Sequence, residues 1–166
     1  MIAVFTGNGA GKTTACIGHM VRATGHGKKA IMFQFIKGPW KSGEHSSKLR
    51  IIRGGMGFVK ILDDKTPFSE HKKYAQQIFL KAVKAIQSNK WDLIVLDEIH
   101  VALHLKLLNL PDVLTVLKHV PTKMNVLLSG RDAPKEIIAM ADLVTEMREI
   151  KHPFKKGAPA QKGFDY

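Results

Sequence analysis

Three groups of residues carry side chains that could do chemistry together. The first is "TGNGAGKTT" (Thr6–Thr14), in which Gly7, Gly9 and Gly11 precede Lys12, Thr13 and Thr14. Glycines at this spacing permit backbone angles that turn successive N–H groups inward, toward phosphate oxygens. A lysine after the last glycine reaches the outer phosphates, and the next hydroxyl is a ligand for Mg²⁺. Gly7, Asn8, Gly9, Ala10, Gly11, Lys12, Thr13 and Thr14 are therefore expected to hold a nucleoside triphosphate. The consensus G-x-x-x-x-G-K-[ST] asks for glycine where Thr6 stands, but Thr6 closes a strand, where a β-branched residue is comfortable. The second group is the acid pair Asp97 and Glu98, directly after the apolar run "LIVL". Carboxylates at the carboxyl end of a strand sit where an open parallel sheet binds its ligands, so both are candidates to share the metal with Thr13. The competing reading is that the pair merely caps the next helix. The third is Arg131 in "SGRDAP" (Ser129–Pro134), a candidate contact for phosphate or substrate anion. Spacing alone suits a plain surface arginine equally well.

These groups need elements to position them. "IAVFT" (Ile2–Thr6) is short, apolar and β-branched and reads as a buried strand. A helix from Lys12 to about Thr24 follows the loop, with Gly25 and Gly27 as stop signals. Lys29–Ile36 is a second buried strand, and Lys37–Lys48 is a loop by its Gly, Pro and Ser content. "LRIIR" and "FVKIL" flank "GGMG" as two further short strands. Ser69–Ser88 places Tyr74, Ile78, Ala82, Ala85 and Ile86 at helical spacing, with Lys72, Lys73, Lys81 and Lys84 as a solvated face. Asp92–Glu98 and Asn125–Gly130 are strands. Pro111 fits the first turn of a helix running to about His119. "APKEIIAMA" is a helix and "DLVTEMREI" a final strand. Strands alternating with helices predict a three-layer α/β/α domain with a mostly parallel sheet, covering residues 1–166 as one unit.

The composition narrows the partners. The balance of 26 basic against 14 acidic residues, +12 in all, favours anionic ligands. Hydrophobic residues at 45% exclude a disordered chain. No run reaches the roughly 18 apolar residues of a membrane span. The first residues read as a strand, so no signal peptide is expected. The lone Cys16 allows no internal disulfide, which suits a reducing compartment, and inside a helix it reads as a small buried apolar residue. The helical lysines are not interleaved with aromatics that could stack bases, so no nucleic-acid partner is expected. His100 and His104, four apart, could share a helix face, but no third zinc ligand is evident.

Several segments in order along the chain resemble the ATP:corrinoid adenosyltransferases of the CobA/BtuR type. They are "TGNGAGKTT", "GHGKKAIMFQFIKG" (Gly25–Gly38), "GFV" (Gly57–Val59), "LDE" (Leu96–Glu98), "SGRDAPKEIIAMADLVTEM" (Ser129–Met147) and the tail "KHPFKKGAPAQKGFDY" (Lys151–Tyr166). The loop is generic; "QFIKG", the stretch after "GR" and the tail are much more specific. The resemblance implies a RecA-like phosphate-loop fold and transfer of the 5′-deoxyadenosyl group of ATP to the Co(I) of a reduced corrinoid, with tripolyphosphate as leaving group. It implies that the loop holds the triphosphate in the reverse sense to ordinary ATPases. Lys12, Thr13 and Glu98 would be the catalytic residues and Thr13 and Glu98 the Mg²⁺ ligands. Phe58 would stand near the corrinoid and help remove its lower axial ligand. It further implies a reductant protein such as a flavodoxin or a flavin reductase, a homodimer and a cytoplasmic location.

The chain departs from the family pattern in three places. Ala10 stands where family loops usually carry lysine. Lys60 stands where a second aromatic is usual after "GF". The N-terminal extension of enteric members has no counterpart before the first strand. Two other readings stay open on the sequence: a RecA-like ATPase acting on nucleic acid, and a protein that binds corrinoid or nucleotide with weak transfer.

Overall fold

The computed structural model describes residues 1–38, 42–57, 59 and 65–165. Six short strands form its sheet: β1 (Ile2–Thr6), β2 (Ala30–Gln34), β3 (Ile51–Arg53), β4 (Leu93–Asp97), β5 (Asn125–Ser129) and β6 (Leu143–Glu146). Their spatial order is β3-β2-β4-β5-β1-β6, and every pairing recorded between them is parallel. All five residues of β1, β2 and β4 are buried. That is why these strands read as unbroken apolar runs: each is covered on both faces.

Among the described residues five α-helices supply the cover: α1 (Lys12–Gly25), α2 (Phe68–Gln87), α3 (Ile99–His104), α4 (Leu110–Lys118) and α5 (Lys135–Met140). Alternate strand residues turn to opposite faces. Ile2, Val4, Ile31, Phe33, Ile94, Leu96, Val126 and Leu128 join the core under α2 to α5. Ala3, Phe5, Ala30, Met32, Val95 and Leu127 turn the other way, onto Cys16 and Met20 of α1. The three layers are thus unequal, with four helices on one face and one on the other. Only β5 stands between β1, which feeds the glycine loop, and β4, which ends in the acid pair. This is the three-layer α/β architecture expected from the alternation of strands and helices, and the sheet is parallel throughout its recorded pairings.

Several local expectations shift. β2 stops at Gln34 instead of Ile36, and the loop after it contains a 3₁₀ turn at Gly43–Ser46. α3 begins directly after Glu98 and is too short for periodicity to reveal. "LRIIR" yields β3, whereas the strand expected over "FVKIL" lies outside the described residues except for Val59. The buried stripe of α2 is His71, Ala75, Ile78, Ala82, Ala85 and Ile86. Tyr74 is not part of it and is 40% exposed. Ala75, three residues before Ile78 and seven before Ala82, holds the inward position, and Tyr74 is rotated about 100° away from it. Cys16 is fully buried, and burial followed by the nearby Asp97 charge pushes its thiol above the ordinary range, so it is an inert apolar contact.

The corrected stripe can be checked by urea unfolding. Ile78→Ala should cost about 2–5 kcal/mol of stability, whereas Tyr74→Gln should change it by less than about 1 kcal/mol. Equal losses at the two positions would contradict the packing described.

Candidate active site

The four central strands share a pattern that becomes meaningful in three dimensions. Apart from Asn125 at the start of β5, each runs through apolar residues and ends on one polar residue: Thr6, Gln34, Asp97 or Ser129. The register places Gln34 directly beside Asp97. All four side chains are buried, and Gln34, Asp97 and Ser129 are fully so. A buried carboxylate is costly unless donors surround it, and Asp97 has three. Its Oδ1 accepts from Ser129 Oγ at 2.6 Å and from Thr13 Oγ1 at 3.0 Å, and its Oδ2 accepts from Gln34 Nε2 at 3.2 Å. Burial pushes the Asp97 pKa up, and the three donors hold it down in part. Ser129 Oγ in turn accepts the backbone N–H of Glu98 at 3.0 Å, in a residue with left-handed angles (φ 60°).

Thr6, the departure from the loop consensus, also has a task. Its Oγ1 accepts the N–H of Ala133 at 3.3 Å, tying the "GRDAP" loop to the end of β1. The glycines of the loop serve different needs from the single one expected of them. Gly7 and Gly11 have positive φ (91° and 101°). Gly9 does not, and its N–H is taken by the carbonyl of Met147 at 2.7 Å. It is glycine because the backbone just after β6 lies against it: a Cβ there would meet Met147 and Arg148 backbone atoms at 2.8–2.9 Å. Gly11 caps α1 in a left-handed conformation, with no side-chain cap and no acid in the first turn. The first amides of a 14-residue helix are thus left for an anion, as is its positive end.

Charge is concentrated around this helix start. Lys12 is largely buried and donates from Nζ to the carbonyls of Gly7 at 2.8 Å and Gly9 at 2.6 Å. Burial lowers its pKa, Glu98 opposes that shift, and Arg131 adds to it. Glu98 is pushed up to about 6, chiefly by burial and then by the neighbouring Asp97 charge. A cavity of about 950 Å³ opens here. Asn8, Gly9, Ala10, Gly11, Lys12, Thr13, Thr14, Glu98 and Arg131 all line it. Residues from the distant positions 8–14, 98 and 131 therefore meet at one edge of the sheet. A smaller hollow of about 450 Å³ beside α1 lies at the opposite edge, near Met1 and Leu93, away from these groups.

Several residues of this cavity carry no motif of their own. Lys37 and Glu44 line it and pair at 3.7 Å. Gln34 joins their loop to the centre: besides Asp97, its Nε2 donates to Glu44 Oε1 at 3.4 Å, and its Oε1 lies 2.8 Å from His45 Nε2. His45 Nδ1 accepts the N–H of Ser42 at 3.1 Å, which makes Nε2 the protonated nitrogen and the donor to Gln34. The signal was the unusual "QFIKG" after β2: a glutamine closing a buried strand needs partners, and a lysine follows it. His152 and Phe164 bring the tail into the same cavity. Phe58 and Lys60 lie outside the described residues. The two histidines do not converge on a metal: His100 is fully buried, with neither ring nitrogen hydrogen-bonded among the described residues, while His104 is exposed and 3.9 Å from Asp132. Burial lowers the His100 pKa to about 4, so the ring is neutral.

A glycine loop feeding an uncapped helix, Lys12 and Thr13 at its start and an acid strand one strand away define a phosphate-loop nucleotide-binding protein. The comparisons sharpen that class. The family model for ATP:corrinoid adenosyltransferase BtuR/CobO/CobP matches residues 1–166. The corrinoid adenosyltransferase of Escherichia coli K12 is 34% identical over 172 residues, covering 100% of this chain and 85% of that protein. Corrinoid adenosyltransferase CobA of Salmonella typhimurium LT2 is 35% identical over 173 residues with the same coverage. The corrinoid adenosyltransferase of Pseudomonas aeruginosa PAO1 is 34% identical over 172 residues, covering 100% and 83%. Among solved structures, the genome packaging NTPase B204 of Sulfolobus turreted icosahedral virus 2, in complex with ATP-γS, aligns with 92% of this chain and 77% of that one. Its identity is 14% and its TM-score 0.42, too shallow a likeness to bear on the fold. The chain belongs to the ATP:corrinoid adenosyltransferase family.

The raised pKa of Glu98 has a measurable consequence. Between about pH 4.5 and 6 the folded chain keeps a proton that the unfolded chain has lost, so this group lowers stability as pH rises through that window. Glu98→Gln should therefore raise the Tm of the ligand-free protein at pH 7.5, with the gain vanishing below pH 4.5. A Tm at pH 7.5 equal to or below that of the parent would contradict this account of Glu98.

Proposed function

We propose that this protein transfers the 5′-deoxyadenosyl group of ATP to the cobalt of a reduced corrinoid and releases tripolyphosphate. The observation that carries the reading is the match of the adenosyltransferase family model to residues 1–166, on a chain whose loop, acid strand and tail meet in one cavity. In the reaction the Co(I) electron pair attacks C5′, the Co–C bond forms, and the C5′–O bond breaks with its electrons passing to tripolyphosphate. No proton is abstracted and no water is activated, so a general base is unnecessary. What such a step needs is fixed positive charge and N–H donors around a leaving group that gains charge, with C5′ held in line with the cobalt.

The residues at the cavity suit that task. Gly7 to Thr14 and the first amides of α1 hold the triphosphate, in the reverse sense that the family resemblance implies. Lys12 leaves the carbonyls of Gly7 and Gly9 for a phosphate oxygen, and Arg131 adds a second cation. Lys37, in the segment after β2, lines the same cavity and supplies a charge that Ala10 of the glycine loop does not. The donor set also fits Mg²⁺. Thr13 donates its proton to Asp97 and keeps lone pairs for a cation, and burial followed by the adjacent Asp97 charge raises the Glu98 pKa, a shift that a cation would oppose. Among the described residues no group of three or more acids, histidines or cysteines could hold a metal unaided. This matches an ion bound through one or two protein ligands plus phosphate oxygens and water. Thr13 and Glu98 are the direct ligands in this reading, and Asp97 acts through the Thr13 hydroxyl. When bound, Mg²⁺ would neutralise charge on the leaving triphosphate.

Phe58 is assigned to the corrinoid side. An electron donor such as a flavodoxin or a flavin reductase supplies Co(I), and the protein acts as a homodimer in the cytoplasm. Cys16 is the single cysteine and is buried, so no internal disulfide can form; no described helix is long and apolar enough to cross a membrane.

The test uses the purified chain with ATP, Mg²⁺ and a chemically reduced corrinoid. The expected products are a light-sensitive alkylcorrinoid and tripolyphosphate in equal amounts; ADP and orthophosphate without a Co–C product would refute the reading. Lys12→Ala should lower the rate by about 30- to 1000-fold, the 2–4 kcal/mol typical of losing one preorganised donor.

A further inference from the structure

Lys37 and Glu44 line the cavity, but the residues that hold their loop in place stand behind its wall: neither Gln34 nor His45 is among its described lining residues. Gln34 is fully buried at the end of β2. A buried amide needs an acceptor for each of its two N–H bonds and a donor for its oxygen. Gln34 has all three. Its Nε2 lies 3.2 Å from Asp97 Oδ2 and 3.4 Å from Glu44 Oε1, and its Oε1 lies 2.8 Å from His45 Nε2. The two ends of an amide are nearly alike in shape, so its partners decide which way it points.

The direction is set from outside. A backbone N–H can only donate, and that of Ser42 donates to His45 Nδ1 at 3.1 Å. Burial holds the imidazole below its ordinary range; Glu44 opposes that shift, and Arg53 and Lys37 add to it. The ring is therefore neutral at pH 7 and carries its one proton on Nε2. That proton goes to Gln34 Oε1, which turns the amide NH₂ toward Asp97 and Glu44. A reversed amide would set its oxygen against both carboxylates, lone pair against lone pair. Asp97 orients the Thr13 hydroxyl at 3.0 Å, and Glu44 holds Lys37 at 3.7 Å. Thr13 and Lys37 both face the cavity. One imidazole thus bears on two phosphate-facing groups from distant segments.

Capping does not account for the whole ring. The 3₁₀ turn Gly43–Ser46 needs an acceptor for the Ser42 N–H, which Nδ1 supplies. The contact from Nε2 is the shortest that Gln34 makes and serves nothing in the turn.

We propose that His45 is a positioning residue for the phosphate end of the cavity, fixing the Gln34 amide so that Asp97 holds Thr13 and Glu44 holds Lys37. The inference rests on the nucleotide reading given above.

Two variants separate this role from capping. His45→Asn keeps an acceptor at the place of Nδ1 but is too short to reach Gln34. His45→Gln returns an N–H donor at the reach of Nε2. Calorimetric titration of the full chain with Mg-ATP and Mg-tripolyphosphate should show both ligands weakened by about 10- to 100-fold in His45→Asn. His45→Gln should stay within about threefold of the parent. A thermal melt verifies that both variants fold. Parent-like binding by His45→Asn would reduce His45 to a cap and overturn the proposal, as would failure of glutamine to restore binding, or a loss confined to ATP. One measurement needs no variant to bind: long-range ¹H–¹⁵N spectra of the parent at pH 7.5, with His45 assigned by its absence in His45→Asn. They should show a neutral ring protonated on Nε2, and a ring protonated on Nδ1 or on both nitrogens contradicts the network. A parent with this tautomer that binds neither polyanion would overturn the nucleotide reading, and the positioning role with it.

Discussion

The carboxylate of Asp97 is the group around which the rest of the site is arranged. It has no exposure to solvent, and an ionised carboxyl in that position is tolerable only if each oxygen is given donors. Those donors come from three different elements: Gln34 at the end of β2, Ser129 at the end of β5 and Thr13 in the first turn of α1. Satisfying one acid therefore fixes the relative position of two strands and the helix that follows the glycine loop. The same oxygens orient the Thr13 hydroxyl, and Ser129 orients the Glu98 backbone. A requirement of polar satisfaction has become a device for holding the residues that face the cavity.

A second constraint operates on the far side of the loop. Met147 donates its N–H to Thr6 and accepts the N–H of Gly9, so the chain after β6 runs in contact with the glycine loop from outside. The glycine at position 9 answers to this approach as much as to any ligand. The consequence for the charges is visible in Glu98, whose carboxyl is raised to about 6 by burial and by Asp97 despite three cations nearby. The ligand-free site stores unfavourable electrostatics, as sites prepared for an anion and a cation commonly do.

Much of the frame was legible in the residues. The four apolar strands, the loop with its lysine and threonine, the acid pair and the amphipathic α2 follow from period and spacing. The errors came where side-chain phase or tertiary contact decides. Tyr74 scored as apolar, yet it sits beside the buried line of α2. Apolar character alone carries β2 on to Ile36, because Phe35 and Ile36 are as apolar as the strand that ends at Gln34. Gln34, Lys37, Glu44 and His45 are invisible as a group, because a glutamine in a strand and a histidine in a loop have no partner until β2 and the 3₁₀ turn are folded together.

What the sequence determined by itself is local: which segments are buried, where the chain must turn, and that the loop has the chemistry to grip a triphosphate. Family membership was legible too, from "QFIKG" and the tail. What only the tertiary structure decided is convergence. Residues 8–14, Lys37, Glu44, Glu98, Arg131 and Phe164 surround one cavity because the strand order β3-β2-β4-β5-β1-β6 brings the carboxyl ends of distant segments to one edge. No pairwise spacing encodes that order. It arises from burying two faces of one sheet at once, and from the need to surround a buried Asp97 with donors.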